Sequence, residues 1–187
     1  MTVTARKLTD DSVLRSACES TLPPGKVSRI RVDQLLLAEH SPIRTMLYWV
    51  DLIGVPTFVS VHLVRHKIGV EHFVKSNRDD RGGDTEVNRL TPVNHGMMIN
   101  AQALLNISRK RLCYASHRTT VAWWMRVKRA IAAVDPVVAS FMAPECVVRG
   151  YCPEPRECKP GCRKVLGAYW DSEHVKRREK QDAAMGL

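Results

Sequence analysis

The apolar residues of this chain form short runs, and proline, glycine or charged residues separate one run from the next. Asp10 to Glu19 predicts a helix with acidic residues at its start, and Val32 to Ala38 predicts a second, shorter one. Arg44 to Ile53 is rich in β-forming residues and lies between a proline and a glycine, which indicates a strand. Pro56 to Val64 then predicts a helix, because proline is favoured in the first helical turn.

The second half of the chain carries longer helical patterns. Ser76 to Asn94 is polar and contains a glycine pair, which indicates a loop. Met97 to Leu112 and Thr119 to Val134 each show the apolar spacing of a helix, and Arg163 to Ala184 predicts a charged C-terminal helix.

Length and composition indicate a single domain with a tail. The chain has 187 residues, enough for one hydrophobic core. We divide it into a main domain (1–145), a cysteine-rich loop (146–162) and a basic C-terminal helix or tail (163–187). No apolar run is long enough to cross a bilayer, and the polar segment Met1 to Asp10 lacks the apolar core of a signal peptide. We therefore expect a cytoplasmic protein with no membrane partner.

The chain is strongly basic, with a formal net charge of +10. Such a charge favours anionic partners, which include nucleic acid but equally nucleotides, flavin dinucleotide, NADPH and folate. Proteins that stack on bases need aromatic residues among their basic ones, and only three Phe and four Tyr are present. Nucleic acid is therefore the weaker expectation, although the cysteine-rich loop and the basic tail keep it open.

Four of the six cysteines lie close together among prolines and glycines. Their spacing, C-x5-C-x5-C-x3-C, lacks the paired C-x2-C of common zinc knuckles. In a cytosolic chain such a cluster indicates a metal, zinc above all, before a disulfide, and both alternatives stay open. The candidate metal ligands are Cys146, Cys152, Cys158 and Cys162.

Two short basic segments follow the predicted helix Pro56 to Val64. The first is Arg65-His66-Lys67 and the second is Ser76-Asn77-Arg78. Arginine offers a bidentate fork to a phosphate, lysine offers a point charge, and serine adds a hydroxyl donor. The alternative to an anion site is a basic turn that only faces water.

Three motifs in order resemble the flavin-dependent thymidylate synthase family. The two basic segments resemble its Arg-His-Arg, seven or eight residues, Ser-x-Arg signature, with Lys67 in the third position. Glu39 to Arg44 resembles the family's His/Gly-Ser/Thr-Pro-Phe-Glu turn, and Asn100 to Asn106 with Arg111 resembles its Asn-x-Arg-x-Leu-x-Asn helix and late arginine. The resemblance as a whole extends from about Glu39 to Pro136.

The resemblance implies an α+β fold in which a small twisted antiparallel sheet packs with helices in a single domain. It further implies a homotetramer whose subunits share sites for FAD and dUMP. The implied reaction is reductive methylation of dUMP to dTMP, with methylenetetrahydrofolate as the carbon donor and NADPH as the source of hydride through FAD.

The resemblance also assigns residues. It implies a set of dUMP contacts: His62, Arg65, Ser76, Asn77, Arg78, Arg89 and Arg111. It implies a set of FAD contacts: Ser41, Arg65, His66, Lys67, Ile68, Asn100, Gln102 and Asn106. Arg111 takes the catalytic position, where a fixed guanidinium at the uracil edge would stabilise a developing anion.

The predicted helix Met97 to Leu112 gives a reason of its own to expect an oligomer. Asn100 and Arg111 would lie about 20° apart around its axis, while Gln102 and Asn106 would lie on the opposite side. Buried polar groups need partners, so polar residues on two sides fit a site shared between subunits.

Some positions depart from the family pattern. Gln102 replaces an arginine, Arg44 stands where the family has a glutamate, and Val74-Lys75 replace an Asn-Glu pair. These departures leave a second reaction open, in which a relative transfers a one-carbon unit such as hydroxymethyl to a pyrimidine nucleotide.

Overall fold

The computed structural model describes residues 2–76, 78–83, 86–158, 162–169 and 171–185. Four strands are present in this part of the chain: β1 (Thr2–Lys7), β2 (Leu47–Pro56), β3 (Val70–Val74) and β4 (Pro92–Asn100). The helices are α1 (Asp11–Glu19), α2 (Val32–Ala38), α3 (Thr57–Leu63), α4 (Ala101–Arg111), α5 (Arg118–Val134), α6 (Pro136–Phe141), α7 (Glu145–Arg149), α8 (Cys162–Ala168) and α9 (Glu173–Met185). Two short 3₁₀ helices, Ser41–Thr45 and Asp79–Arg81, complete the set.

The strands form one antiparallel sheet in the order β1-β2-β4-β3. Side chains alternate between its two faces, and the inner face carries Tyr48, Val50 and Leu52 of β2 beside Met97 and Ile99 of β4. All five are fully buried, so this face forms one wall of the core.

The helices pack against that inner face and bury their apolar sides there. Helix α5 packs against β1 and α6, and its Trp123 and Trp124 are buried. The indole of Trp124 donates to the hydroxyl of Ser108 on α4 at 2.9 Å. The hydroxyl of Tyr48 on β2 donates to Asp135 at the start of α6 at 2.8 Å. These two buried hydrogen bonds fix α4, α5 and α6 relative to the sheet.

The outer face of the sheet carries an aromatic pair over a glycine. Trp49 and Phe73 lie on the two strands that flank Gly96, and their rings stack with centroids 5.4 Å apart. A side chain at Gly96 would meet the Trp49 ring at 3.0 Å, so glycine makes room for the stack. Phe73 is 53% exposed and Met98 is 37% exposed, which leaves this face open in the single chain.

The expected α+β class is confirmed, and one predicted boundary is wrong. Residues 97–100 belong to β4, and helix α4 begins only at Ala101. Their side chains alternate between buried and exposed as in a strand, and Met97 pairs with Val50 and His72. Sheet pairing at long range thus outweighs the helical pattern of the apolar residues that follow.

Other elements differ in extent. β1 and β3 were not expected, because edge strands with one exposed face carry few apolar residues. The expected charged C-terminal helix is two helices, α8 and α9. No helix in the described ranges is long and apolar enough to cross a membrane. The three-part division of the chain stays a prediction.

Candidate active site

The first basic segment lies in a turn between α3 and β3. We call residues 64–69 the basic turn. The carbonyl of Gly69 accepts a hydrogen bond from the backbone N–H of Asn100 at 2.9 Å, which ties the turn to the start of α4. Gly69 has a φ of 75°, and a Cβ there would lie 2.6 Å from the Asn100 side chain. Only glycine fits this contact without displacing Asn100.

A cleft of about 340 Å³ lies between the basic turn and α4. The basic turn lines the cleft with Arg65, His66, Lys67 and Ile68, and α4 lines it with Ala103, Asn106 and Ile107. Arg65 and Lys67 are exposed and have no carboxylate partner in the described ranges. The structure thus brings five of the expected FAD contacts together, and two of the five are cations without an ion pair among the described residues.

Arg111, the last residue of α4, reaches across to α3 and the basic turn. Its Nε donates to His66 Nε2 at 3.0 Å, and its Nη2 donates to the carbonyl of His62 at 2.8 Å. Burial, together with the nearby charge of Arg65, lowers the pKa of Arg111, yet a guanidinium stays charged in proteins. The side chain is therefore a fixed cation in direct contact with two of the expected site residues.

The contact with Arg111 determines the tautomer of His66. Because Arg111 Nε can only donate, His66 Nε2 must accept, and the ring proton of the neutral imidazole lies on Nδ1. Burial and the charge of Arg111 lower the pKa of His66 to about 4. At neutral pH, His66 is thus an uncharged ring with one donor nitrogen left for another partner.

Other expected dUMP contacts gather next to Arg111. His62 Nδ1 lies 3.0 Å from the hydroxyl of Thr120 on α5. Burial, and then the charges of Arg111, Arg65, His117 and Arg89, lower the pKa of His62. Four of the expected dUMP contacts thus share one electrostatic neighbourhood: His62, Arg65, Arg89 and Arg111.

The second basic segment makes only local contacts. Arg78 pairs with Asp80, and the Ser76 hydroxyl accepts from the backbone N–H of Arg78 at 3.4 Å. Both residues are exposed in the segment that follows β3. Asn77 lies outside the described residues. The expected dUMP contacts on this segment therefore stay a prediction.

Gln102 and Asn106 have partners within their own chain. Gln102 Nε2 donates to Glu39 and to Asn106 Oδ1, and Arg109 forms an ion pair with Glu39. Glu39 ends α2 with a φ of 51°, which places its carboxylate over α4 at a cost in backbone strain. We call Glu39, Gln102, Asn106 and Arg109 the α4 polar network.

The α4 polar network removes one reason to expect an oligomer, namely that polar side chains on two sides of the helix would need partners from a second subunit. Asn100 precedes the helix, and its side chain accepts from the backbone N–H of Ala103 at 2.8 Å as an N-cap. The opposite polar side, with Gln102 and Asn106, is satisfied by Glu39 and Arg109. The side chains of Asn100, Gln102 and Asn106 thus have hydrogen-bond partners within the single chain.

Two remaining expectations find no support in the geometry. Ser41 lines a different cavity, of about 590 Å³, next to His40 and Pro42. In the described part of the chain, no three His, Cys, Asp or Glu side chains are placed to hold a metal ion. The side chain of Cys162 lies outside that part, so the four-cysteine site stays a prediction.

The sequence interpretation missed three polar residues behind the basic turn, of which two are buried and His72 is half-buried. Ser60, His72 and His95 form a hydrogen-bonded chain that ends on the carbonyl of His66. A signal was present for His95, since it alternates with Val93, Met97 and Ile99, all of which face the core. A histidine on the apolar face of a strand indicates a satisfied polar group inside the fold.

Comparison with known proteins adds to this geometry. No protein-family model and no curated protein sequence matches the chain. Among solved structures, thymidylate synthase X (ThyX) from Helicobacter pylori, crystallised with FAD and dUMP, matches with a TM-score of 0.55 and 14% identity. That match covers 70% of this chain and 93% of the other.

A UMP/dUMP methylase, PolB from Streptomyces cacaoi, bound with 5-Br dUMP, matches with a TM-score of 0.54 and 15% identity, over 75% of this chain and 94% of the other. Likeness at such identity concerns the fold. The resemblance to the flavin-dependent thymidylate synthases is confirmed at that level: the chain shares their fold.

Proposed function

We propose that this chain is a flavin-dependent thymidylate synthase, which methylates dUMP to dTMP with methylenetetrahydrofolate as carbon donor and NADPH as reductant. The observation that carries the proposal is the contact of Arg111 with His66 and His62 beside the cleft. It unites three expected site residues, from two segments distant in sequence, in a fold shared with a ThyX bound to FAD and dUMP.

The cleft residues fit an anionic, planar ligand such as FAD. Arg65 and Lys67 are exposed cations without an ion-pair partner among the described residues, as phosphate binding requires. His66 adds an uncharged donor, and Ile68, 89% exposed, adds an apolar side chain at the rim. The volume of about 340 Å³ is at the lower end for ligand sites, enough for part of a dinucleotide. Bound FAD would supply the hydride that reduces the transferred carbon.

Arg111 would act on the pyrimidine through its fixed position. Two of its nitrogens bind His66 and His62, so the guanidinium has lost its freedom before a substrate arrives. A cation held in this way stabilises a developing negative charge without a reorganisation cost. Arg65 and Arg89, which lie in the same electrostatic neighbourhood, would bind the phosphate of dUMP.

The test is turnover of dUMP by the purified protein with methylenetetrahydrofolate, NADPH and added FAD. We expect flavin absorbance in the purified protein and a product with the mass of dTMP. Omission of NADPH or FAD gives the matched controls. Colourless protein that also fails to convert dUMP in the presence of FAD would contradict the proposal.

A second reaction on a pyrimidine nucleotide is favoured by the α4 polar network. Gln102 occupies the position of a family arginine, and its side chain binds Glu39. Arg109, which lies later in α4, forms an ion pair with the same carboxylate. The surroundings of the cleft thus differ chemically from the family pattern. The same assay with UMP beside dUMP, read by mass, separates methyl from hydroxymethyl products and one nucleotide from the other.

We also propose that the chain assembles into a homo-oligomer, a tetramer by resemblance, and that the outer sheet face supports contact between copies. The strand register aligns Arg6, Trp49, Met98 and Glu71 in one row across the sheet. A two-fold axis parallel to the strands would place β1 of one copy over β3 of the other. Arg6 would then lie opposite Glu71, and the exposed apolar residues would meet between them.

A further inference from the structure

A continuous chain of hydrogen bonds runs through the core behind the basic turn. The Ser60 hydroxyl lies 3.0 Å from His95 Nδ1, and His95 Nε2 lies 2.9 Å from His72 Nδ1. His72 Nε2 in turn lies 2.7 Å from the carbonyl oxygen of His66. Ser60 is 4% exposed and His95 is fully buried, so protein groups and not bulk water satisfy these atoms.

With His72 neutral, the last contact fixes the direction of every hydrogen bond in this chain. A carbonyl oxygen can only accept, so His72 Nε2 carries a proton and donates it. A neutral His72 then accepts at Nδ1, which requires a proton on His95 Nε2. His95 Nδ1 must therefore accept from the Ser60 hydroxyl. One arrangement of protons satisfies all four residues.

A neutral His95 agrees with the surroundings of that ring. Burial and the proximity of His72 lower the pKa of His95 to about 4. The two rings meet edge to face, with centroids 5.1 Å apart, which leaves each ring a single orientation. Because the chain of donors ends on a backbone carbonyl, it cannot pass a proton on to the cleft. Its effect on the site must therefore be one of position.

We propose that Ser60, His95 and His72 are positioning residues of the cleft, which hold the backbone of the basic turn through the carbonyl of His66 while Arg111 holds its ring. The ligand-binding part of this inference rests on the proposed function; the positioning itself does not.

The two anchors act on different parts of the same residue. His72 binds the backbone of His66, and Arg111 binds its ring at Nε2. With both held, the Nδ1–H of His66 has a defined place next to Arg65 and Lys67. Three elements supply the backbone anchor, since Ser60 lies on α3, His72 on β3 and His95 on β4. The position of the turn is thereby coupled to the core of the sheet.

The proton arrangement is tested first in the unaltered protein. Nitrogen-15 NMR with labelled histidine separates protonated from unprotonated ring nitrogens, and single substitutions assign the seven histidines. We expect protonated Nε2 on both His72 and His95, and protonated Nδ1 on His66. A proton on Nδ1 of His72 or of His95 at neutral pH would overturn the proposal without any variant.

Paired substitutions at His72 test the positioning. His72→Phe keeps a flat ring but removes the donor to the His66 carbonyl, whereas His72→Gln keeps an N–H near the place of Nε2. We expect His72→Phe to shift the His66 ring signals and to weaken FAD binding by about two- to tenfold, the effect of one lost hydrogen bond. His72→Gln should restore both. The matched control is His174→Phe, because His174 Nε2 also contacts a backbone carbonyl, that of Phe141, on a different helix.

The outcomes separate this proposal from the proposed function. If His72→Phe leaves the His66 signals as in the unaltered protein, the positioning role is overturned whatever the affinity. If FAD does not bind the unaltered protein, the proposed function fails, and the His66 signals still decide the positioning. If His72→Phe does not fold, Ser60→Ala replaces it, since it removes only the far end of the chain; we expect a smaller shift of the His66 signals, and no shift would overturn the proposal.

Discussion

At the scale of single residues, Arg111 contacts the side chain of His66 and the backbone of His62. The sequence resemblance pointed to Arg111 and to His66, but not to their contact, because α4 and the basic turn lie far apart in sequence. It also could not show that His66 is uncharged, since that follows from its burial and from the neighbouring guanidinium. Residue types were predictable here, whereas protonation states needed the three-dimensional neighbours.

Arg111→Lys should reduce turnover far more than dUMP affinity. Lysine keeps the charge but cannot donate to His66 Nε2 and to the His62 carbonyl in the same fixed geometry. Loss of one well-placed donor costs about 2.7–4 kcal/mol in other enzymes, so we expect a rate loss of roughly a hundredfold or more. The maximal rate and the dUMP dissociation constant of the variant decide the matter. Near-normal turnover would mean that Arg111 serves the fold alone.

At the scale of elements, the junction of β4 and α4 shows what the sequence pattern can and cannot define. The helix was expected, and it is present from Ala101, but its first four expected residues belong to a strand. Met97, Met98 and Ile99 suit either structure, and only pairing with β2 and β3 decides between them. The same junction explains Asn100, whose side chain caps the helix while its backbone N–H binds the basic turn. The family pattern marked this asparagine for cofactor binding, and the structure gives it a local task as well.

Asn100→Ala should destabilise the fold by about 1 kcal/mol, because the N–H of Ala103 loses its cap. Urea unfolding followed by circular dichroism measures the change. Arg129→Ala is the control, since Arg129 is exposed within helix α5 and alanine is favoured there. A smaller loss for Asn100→Ala than for Arg129→Ala would contradict the capping role.

At the scale of the whole molecule, this basic chain contains three uncharged histidines that are partly or fully buried. Burial lowers the pKa of His66, His95 and His174 to about 4 in each case, with help from nearby arginines or, for His95, from His72. Composition predicts the net charge of +10. It does not predict that these three histidines are partly or fully buried, because burial depends on the fold. The α+β class was predictable at this scale, whereas the sheet order β1-β2-β4-β3 was not, since β1 and β3 give weak sequence signals.

Stability should fall as the pH drops from about 6.5 towards 4. In the unfolded chain these histidines take up protons near their ordinary pKa of 6.5, whereas in the fold they do so only near 4. Between these values the unfolded state binds more protons, so acid favours unfolding. Urea midpoints at several pH values measure the effect. His174→Phe should make the dependence shallower, while His40→Gln, at an exposed position, should leave it as it is.

The outer sheet face leads to a prediction about assembly. If two copies meet with β1 over β3, Arg6→Glu or Glu71→Arg places like charges opposite each other and weakens the contact, and the two changes combined restore it. Light scattering gives the mass of each variant in solution. A monomer in the unaltered protein would contradict assembly altogether. If both single variants keep the mass of the unaltered oligomer, this face lies outside the interface.

The contact between Gly69 and Asn100 has a consequence for mutational tolerance. A side chain at position 69 would collide with the residue that caps α4 and anchors the turn, so one substitution would disturb both. Gly54 and Gly82, also with positive φ, have nothing within 4 Å of an added Cβ. Consider a library randomised at these three positions and selected only for soluble, folded protein. Almost all selected sequences should have glycine at position 69, whereas asparagine and aspartate should also occur at positions 54 and 82. Selection for the fold by itself would thus preserve part of the cleft, before any selection for a ligand.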